Sequence, residues 1–116
     1  MDIVGKYTDD FNKKLNINLP IGDIFKSDGL ITHIKKRHPG FEKYISDIPS
    51  IIASPDYIGV NPKEPNSIEL IKVFTDNVQI AIKLDKNKNY LYVASLYDIN
   101  NSKLQNRLNS GRIKKY

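Results

Sequence analysis

The sequence predicts an α+β domain in which N-terminal helices pack on a C-terminal antiparallel β-sheet. Short helical patterns bounded by Ser, Gly and Pro fill residues 27–55, whereas apolar and polar side chains alternate with period two over residues 67–97. No βαβ alternation is present, which favours segregated helices and sheet over a parallel sheet. With 116 residues, 40% of them hydrophobic, we expect a single domain with one core over residues 1–116.

The helical part begins at a capping sequence. Ser27 or Asp28 is predicted to accept hydrogen bonds from the first turn of a helix that ends at His38, because Pro39 disfavours a helical conformation there. The predicted helices cover residues 29–37, 41–45 and 49–53. Residues 1–25 are weakly patterned, with a short strand predicted over 15–19, and we expect them to form an N-terminal extension, either a docking segment or an added strand.

The second half is predicted to form a meander of three strands joined by polar turns at residues 76–77 and 85–89. Strict alternation places Ser95 and Tyr97 on the same face as Leu91 and Val93. A helix carrying Leu104 and Leu108 follows, capped by Asn100 or Asn101 and ended by Gly111, and the tail 112–116 is predicted to add a final strand.

Composition excludes several classes of protein. The chain has no Cys, which excludes disulfides, thiolate metal sites and thiol nucleophiles. Every apolar run is broken before 18 residues and no signal-peptide pattern is present, so we expect a cytoplasmic protein without a membrane partner. Residues 61–116 carry 10 Lys/Arg against 5 Asp/Glu and therefore hold the whole net charge of +5. Such a basic end indicates either a polyanion-binding surface or a tail that aids solubility.

Two histidines are the first candidates for chemistry. On ideal helical geometry His38 lies about 35° from the centre of the buried stripe, Arg37 about 65° and His33 about 105°. Their spacing does not match the i,i+4 pair that shares a zinc ion, so no metal and no cofactor are expected. Imidazole groups and basic side chains suit acid–base cleavage of an RNA phosphodiester. The simpler interpretation is that His38 caps its helix and Arg37 pairs with an acid.

Four strand residues complete the candidates from pattern alone. Lys72 and Lys83 interrupt apolar strands, and Lys83 shares a face with Gln79 and Ala81. Ser95 and Tyr97 lie near the end of the third strand. Residues of this kind usually belong to an ordinary sheet surface. The tyrosines suit either base stacking or strand formation.

An ordered set of short sequence blocks points to a known family. These blocks are 33–39 (HIKKRHP), 48–59 (IPSIIASPDYIG), 61–62 (NP), 67–69 (SIE) with Lys72, 90–97 (YLYVASLY) and 110–112 (SGR). Over residues 28–116 the chain resembles the phage-associated branch of the barnase–EndoU–colicin–RelE-like (BECR) nucleases. The resemblance implies N-terminal helices on an antiparallel sheet, in agreement with the prediction from periodicity.

The resemblance also implies a metal-independent endoribonuclease of phage or toxin type, acting on tRNA or another RNA through a 2′,3′-cyclic phosphate. By position it implies that His33 and His38 form the acid–base pair, that Lys72 or Lys83 and Arg112 contact phosphate, and that Ser95, Tyr97 and Ser110 lie near the substrate. Together with the pattern analysis, this gives His33, His38, Lys72, Ser95 and Tyr97 as candidate catalytic residues. The candidate substrate-binding residues are Arg37, Lys83, Ser110 and Arg112.

Two other functions are consistent with the sequence. One is a non-catalytic RNA-binding or phage interaction module on the same fold, and the other is a structural phage or mobile-element protein. RNA is the expected partner of an enzyme or binding module, and a toxin would add a cognate immunity or antitoxin protein. The oligomeric state is left open by the sequence.

Overall fold

The computed structural model describes residues 1–116 and contains one seven-stranded sheet with four α-helices and one 3₁₀ helix. The strands are β1 (Asp2–Tyr7), β2 (Gly22–Lys26), β3 (Tyr57–Val60), β4 (Ser67–Val73), β5 (Asn77–Asp85), β6 (Tyr90–Asp98) and β7 (Ile113–Lys115). The helices are α1 (Asp9–Leu15), α2 (Leu30–Arg37), the 3₁₀ helix (Phe41–Asp47), α3 (Ile48–Ala53) and α4 (Asn101–Ser110). The predicted α+β class is therefore confirmed.

The sheet has the spatial order β1-β2-β6-β5-β4-β3-β7. All neighbouring strands are antiparallel except β2 and β6, which are parallel. The expectation of helices first and an antiparallel sheet second is thus corrected in two respects. Two strands lie in the first 26 residues and α4 lies near the C-terminus, and the sheet is mixed.

The main core lies between one face of the sheet and the helices before β3. Alternate side chains of β4 and β5, such as Ile68, Leu70, Ile80 and Ile82, are completely buried there. A smaller cluster lies on the opposite face of the sheet, where Ile71, Ile99 and Ile113 pack against Leu104 and Leu108 of α4. That second face, which we call the α4 face, is therefore covered only where α4 lies. None of the helices is long and apolar enough to cross a membrane.

The first 26 residues differ most from the prediction. They form β1, α1 and β2 in the same sheet as the rest of the chain. The strand predicted over 15–19 is wrong, because Leu15 ends α1 and Asn16 adopts a left-handed conformation with φ of 54°. Leu19 is nevertheless buried, and the side chain of Asn12 holds its amide and carbonyl groups. The alternating pattern here thus belongs to a loop that is anchored to the core.

Other elements agree with their predictions. α2 ends at His38 as expected, although its N-cap is Gly29 and neither Ser27 nor Asp28 caps it with a side chain. The meander over β4, β5 and β6 is present, and β7 is the predicted final strand. Asn100 caps α4 by accepting a hydrogen bond from the Lys103 amide at 2.8 Å.

A bulge in β6 changes which side chains face α4. Ala81 pairs with Ser95 while Ile82 pairs with Val93, so the pairing skips Ala94. One extra residue reverses the alternation beyond it. Leu96 therefore joins the main core, and Ser95 and Tyr97 lie on the α4 face rather than on the face of Leu91 and Val93, which corrects the prediction.

Candidate active site

The end of α2 and the second half of β6 meet at the candidate site. β2 pairs only with Leu91 and Tyr92, so α2 packs against the rest of β6 where no strand follows on that side. His38, the residue that ends α2, stacks its ring on Tyr97 with centroids 5.2 Å apart and planes 28° apart. The His38 backbone is held on both sides, since its amide donates to Ile34 and its carbonyl accepts from Phe41. A half-buried imidazole is thereby fixed beside a phenol.

The Tyr97 hydroxyl is oriented by a buried amide. Gln79 lies directly opposite Tyr97 on β5 and is fully buried. Its Nε2 donates to Tyr97 Oη, and its Oε1 accepts from the Arg107 guanidinium of α4. Because a guanidinium only donates hydrogen bonds, the amide oxygen of Gln79 faces Arg107 and the amide nitrogen faces Tyr97. The Tyr97 oxygen accepts the hydrogen bond from that nitrogen, so the Tyr97 proton points away from Gln79. The Tyr97 hydroxyl therefore keeps its own proton free to donate to another group.

A buried carboxylate holds the cationic side chains of the site. Glu69 is 1% exposed, and its Oε1 and Oε2 accept hydrogen bonds from Nη2 and Nε of Arg112. Arg107 Nη1 lies 3.7 Å from Glu69 Oε2. Two guanidinium groups against one carboxylate leave one net positive charge, and the Arg112 side chain is the more exposed of the two at 29%, against 13% for Arg107. Arg112 is therefore the group through which this charge is accessible.

Glycine residues bring Arg112 to Glu69. Gly111 ends α4 with φ of 81°, a conformation that glycine adopts readily, and the chain then turns into β7. The Arg112 backbone lies directly on Gly59 of β3, where a Cβ would stand 2.2 Å from the Arg112 carbonyl oxygen. Gly59 also pairs with Glu69 on β4. Because Gly59 has no Cβ, the turn that carries Arg112 is able to approach the Glu69 carboxylate.

The surroundings favour a neutral tyrosine and a charged arginine. Burial raises the pKa of Tyr97, the Glu69 carboxylate raises it further, and the two arginines oppose that shift. The hydrogen bond to Glu69 raises the pKa of Arg112 despite its partial burial. Tyr97 thus stays a hydrogen-bond donor at neutral pH, and Arg112 stays a cation.

The structure brings some of the predicted residues together and separates others. His38 stacks on Tyr97, and Arg112 lies on the same face of the sheet but across β5, where Glu69 of β4 holds it. His33 and Arg37 are exposed on α2, and His33 lies about 140° around the helix axis from His38 on ideal geometry. Lys72 donates from Nζ to the Ser54 carbonyl at 2.6 Å and thus caps the end of α3.

The remaining predicted residues lie at the periphery of the site. Ser95 is half-buried on the α4 face opposite Ala81. Lys83 lies further along the same face and pairs with Glu64 at 3.0 Å. Ser110 is exposed, and its hydroxyl donates to the Arg107 carbonyl and accepts from the Arg112 amide. Ser110 therefore shapes the turn that carries Arg112.

Three residues of the site do not appear among the sequence candidates: Glu69, Gln79 and Arg107. Glu69 and Gln79 occupy the polar positions of alternating strands, which normally face water. The available signal is Ile71, which shares their face and, with Leu104 and Leu108, indicates that a helix covers part of it. No group of three or more His, Asp or Glu side chains converges to form a metal site.

Most of the chain is similar to a known family of proteins. A family model described as phage-Barnase-EndoU-ColicinE5/D-RelE like nuclease3 matches residues 2–106. The matched span includes β1, α1 and β2 as well as His38, Glu69, Gln79 and Tyr97, whereas Arg107 and Arg112 follow it. A search of the curated proteins found no match, and neither did a search of the solved structures.

Proposed function

Because this chain belongs to the family of phage Barnase–EndoU–ColicinE5/D–RelE-like nucleases, we propose that it is a metal-independent endoribonuclease whose reaction takes place between His38, Tyr97 and Arg112. The observation that carries the proposal is an imidazole stacked on a neutral phenol, with a partly exposed guanidinium held by Glu69 on the same face of the sheet. RNA carries its own nucleophile in the ribose 2′-hydroxyl. A single well-placed base can therefore start strand cleavage without an activated water.

In the proposed reaction His38 takes the proton of the 2′-hydroxyl as its oxygen attacks the adjacent phosphorus. The 2′-oxygen–phosphorus bond forms and the bond from phosphorus to the 5′-oxygen breaks, which leaves a 2′,3′-cyclic phosphate. The leaving 5′-oxygen takes a proton from water, and the hydroxide so formed is neutralised by the His38 imidazolium. Arg112 and the Tyr97 hydroxyl stabilise the charge that develops on the phosphoryl oxygens.

Glu69, Gln79 and Arg107 have positioning roles in this proposal. Both oxygens of Glu69 are held by arginine and the residue is buried, so it orients guanidinium groups instead of exchanging protons with the substrate. Gln79 accepts a hydrogen bond from Arg107 and donates one to Tyr97, so it fixes the Tyr97 hydroxyl relative to Arg107. The donors are therefore in place before the substrate binds, and their reorganisation during the reaction is small.

The proposal also covers the setting of the reaction. We infer that the protein acts as a phage or toxin-type enzyme on RNA of a host cytoplasm, with tRNA as the first substrate to test. A toxin of this kind requires a cognate immunity or antitoxin protein in the cell that makes it.

The test is cleavage of total tRNA and of a single-stranded RNA oligonucleotide in excess EDTA, with analysis of the new 3′ ends. The parent protein is expected to give 2′,3′-cyclic phosphate ends and to leave the corresponding DNA oligonucleotide intact. His38→Ala should lower the rate by about a hundredfold or more, and Tyr97→Phe by about a hundredfold, while Lys36→Ala, an exposed change on α2, should not.

His33→Ala distinguishes the single-histidine site from the two-histidine pair implied by resemblance. Full activity of this variant supports His38 acting alone, whereas a loss equal to that of His38→Ala contradicts it.

The separation of the two histidines favours one alternative function, a non-catalytic RNA-binding module. Salt-sensitive RNA binding by a parent protein that yields no product would favour that module over the nuclease.

A further inference from the structure

The α4 face continues past the proposed active site along β5 and β6. On β5 the side chains of Gln79, Ala81 and Lys83 share this face, and their partners on β6 are Tyr97, Ser95 and Tyr92. Ala81 and Ser95 are half-buried and small, so they form a shallow floor between the two ends. The face thus connects the site to a second group of polar side chains.

That second group lines an open cleft of about 290 Å³. Three lysines, Lys63, Lys83 and Lys86, line it together with a single acidic residue, Glu64. Lys83 pairs with Glu64 at 3.0 Å, whereas Lys63 and Lys86 extend from exposed backbone positions. The residues that line the cleft therefore carry two net positive charges, and of its three lysines Lys83 is the one that forms a salt bridge.

The two loops that carry these lysines are fixed by their own side chains. Asn61 Oδ1 accepts from the amides of Lys63 and Glu64 at 2.9 and 3.2 Å. Asp85 Oδ1 accepts from the amides of Asn87 and Lys88 at 3.0 and 3.1 Å, which holds the turn on which Lys86 lies. The cleft is therefore preorganised rather than a gap between loose loops.

Aromatic side chains lie beside the cleft on the same face. Tyr92 is directly opposite Lys83 and Tyr90 is opposite Asp85, and both are half-buried. Their ring centroids are 6.2 Å apart, with planes 59° apart. Unpaired bases stack on partly exposed rings of this kind, whereas the bases of a duplex are already stacked on one another.

The distance between the proposed active site and the cleft equals the length of several nucleotides of a single strand. Gln79 and Lys83 are four residues apart on β5, which corresponds to about 13 Å at a rise of about 3.3 Å per residue. A stacked strand rises about 3.4 Å per nucleotide, so this distance covers about four nucleotides, and fewer in an extended strand.

We propose that the lysine cleft binds a backbone phosphate of a single-stranded RNA whose scissile phosphate lies at His38, Tyr97 and Arg112, with the bases next to the cleft phosphate against Tyr90 and Tyr92. This inference rests on the proposed function for the identity of the nucleic acid. It adds a second binding point, remote from the reacting atoms, and a preference for unpaired RNA several nucleotides long.

The experiment measures binding of fully 2′-O-methylated oligonucleotides of two, four and eight nucleotides, which the proposed reaction cannot cleave. The parent protein is expected to bind the eight-nucleotide strand more tightly than the two-nucleotide strand. Lys63→Ala/Lys86→Ala should weaken binding of the longer strand about tenfold, as for removal of a charge-assisted hydrogen bond. The slope of log affinity against log salt should fall by about 0.7 for each phosphate that the variant no longer neutralises. Binding of the two-nucleotide strand should not change.

Lys35→Ala/Lys36→Ala is the matched control, because it removes the same charge from exposed positions of α2. Equal weakening by both double variants, or no effect of Lys63→Ala/Lys86→Ala, would overturn the cleft proposal. Equal affinity for the perfect duplex of the eight-nucleotide strand would overturn the single-strand preference. If the oligonucleotides behave as expected while the parent cuts no RNA, the cleft proposal holds and the nuclease proposal fails.

Discussion

Glu69→Gln is the substitution that most directly tests the organisation of the site. It keeps the shape of the side chain and removes a charge that is 1% exposed and shared by two guanidinium groups. Removing one partner of a buried ion pair typically costs about 3–5 kcal/mol, because the other charge is left uncompensated. The Arg112 side chain is 29% exposed and is able to turn toward water, so we expect the lower end of that range, about 3 kcal/mol.

The loss of stability is large enough to measure by two methods. With about 2.1 cal/mol/K of unfolding entropy per residue, a chain of 116 residues has about 0.24 kcal/mol/K, so about 3 kcal/mol lowers Tm by about 12 °C. Urea unfolding should give the same free-energy difference at an unchanged m-value. Glu64→Gln is the control, since its pair with Lys83 is solvent-exposed and exposed pairs contribute about 0.2–1 kcal/mol.

A double-mutant cycle with Arg112→Gln makes the comparison specific. If Glu69 acts by compensating Arg112, the two substitutions should not be additive, and their coupling energy should be about 1 kcal/mol or more. A Glu69→Gln variant as stable as the Glu64→Gln control, or additive losses in the cycle, would refute the view that the buried carboxylate holds the arginines in place.

Three further predictions concern other parts of the fold. Gly59→Ala should lower the free energy of unfolding by about 1–3 kcal/mol and reduce RNA cleavage, because its Cβ would displace the Arg112 backbone; parent-like melting and activity would contradict the close approach. Asn100→Ala should cost about 1 kcal/mol in urea unfolding through removal of the α4 cap, and a free energy of unfolding equal to that of the parent would show that the cap is not needed. Burial raises the pKa of Tyr7 above its ordinary value of about 10, so above pH 10 the unfolded chain loses this proton while the folded chain keeps it, and stability should fall as pH rises. Tyr7→Phe should flatten that alkaline fall in unfolding free energy, and an equally steep fall would assign it to other groups.

The C-terminal half of the fold was predictable because its signals are local. Alternation, broken only at the bulge in β6, and short polar turns specify the meander of β4, β5 and β6, and Asn100 and Gly111 specify the ends of α4. β1 was missed because an irregularity between Ile3 and Gly5 breaks its alternation. The parallel pairing of β2 with β6 joins segments far apart in sequence, and no local pattern encodes such a pairing.

The site was only partly predictable for a similar reason. His38, Tyr97 and Arg112 are recognisable as candidates from the sequence. The face on which Tyr97 lies depends on the extra residue Ala94, which alternation alone does not reveal. Glu69 resembles a surface carboxylate until the turn at Arg112 is packed over it.

The parallel pairing of β2 with β6 has a consequence for how the protein folds. Ile24 pairs with Leu91 and Phe25 with Tyr92, so the first two strands cannot complete their sheet until the sixth has been synthesised. Closing so long a loop is entropically costly and slows folding relative to the local meander. We expect the hairpin of β4 and β5 to form first and the N-terminal strands to dock late. During translation, His38 is therefore synthesised well before Tyr97 and Arg112. We expect the nascent chain to have no complete site until β7 has emerged from the ribosome.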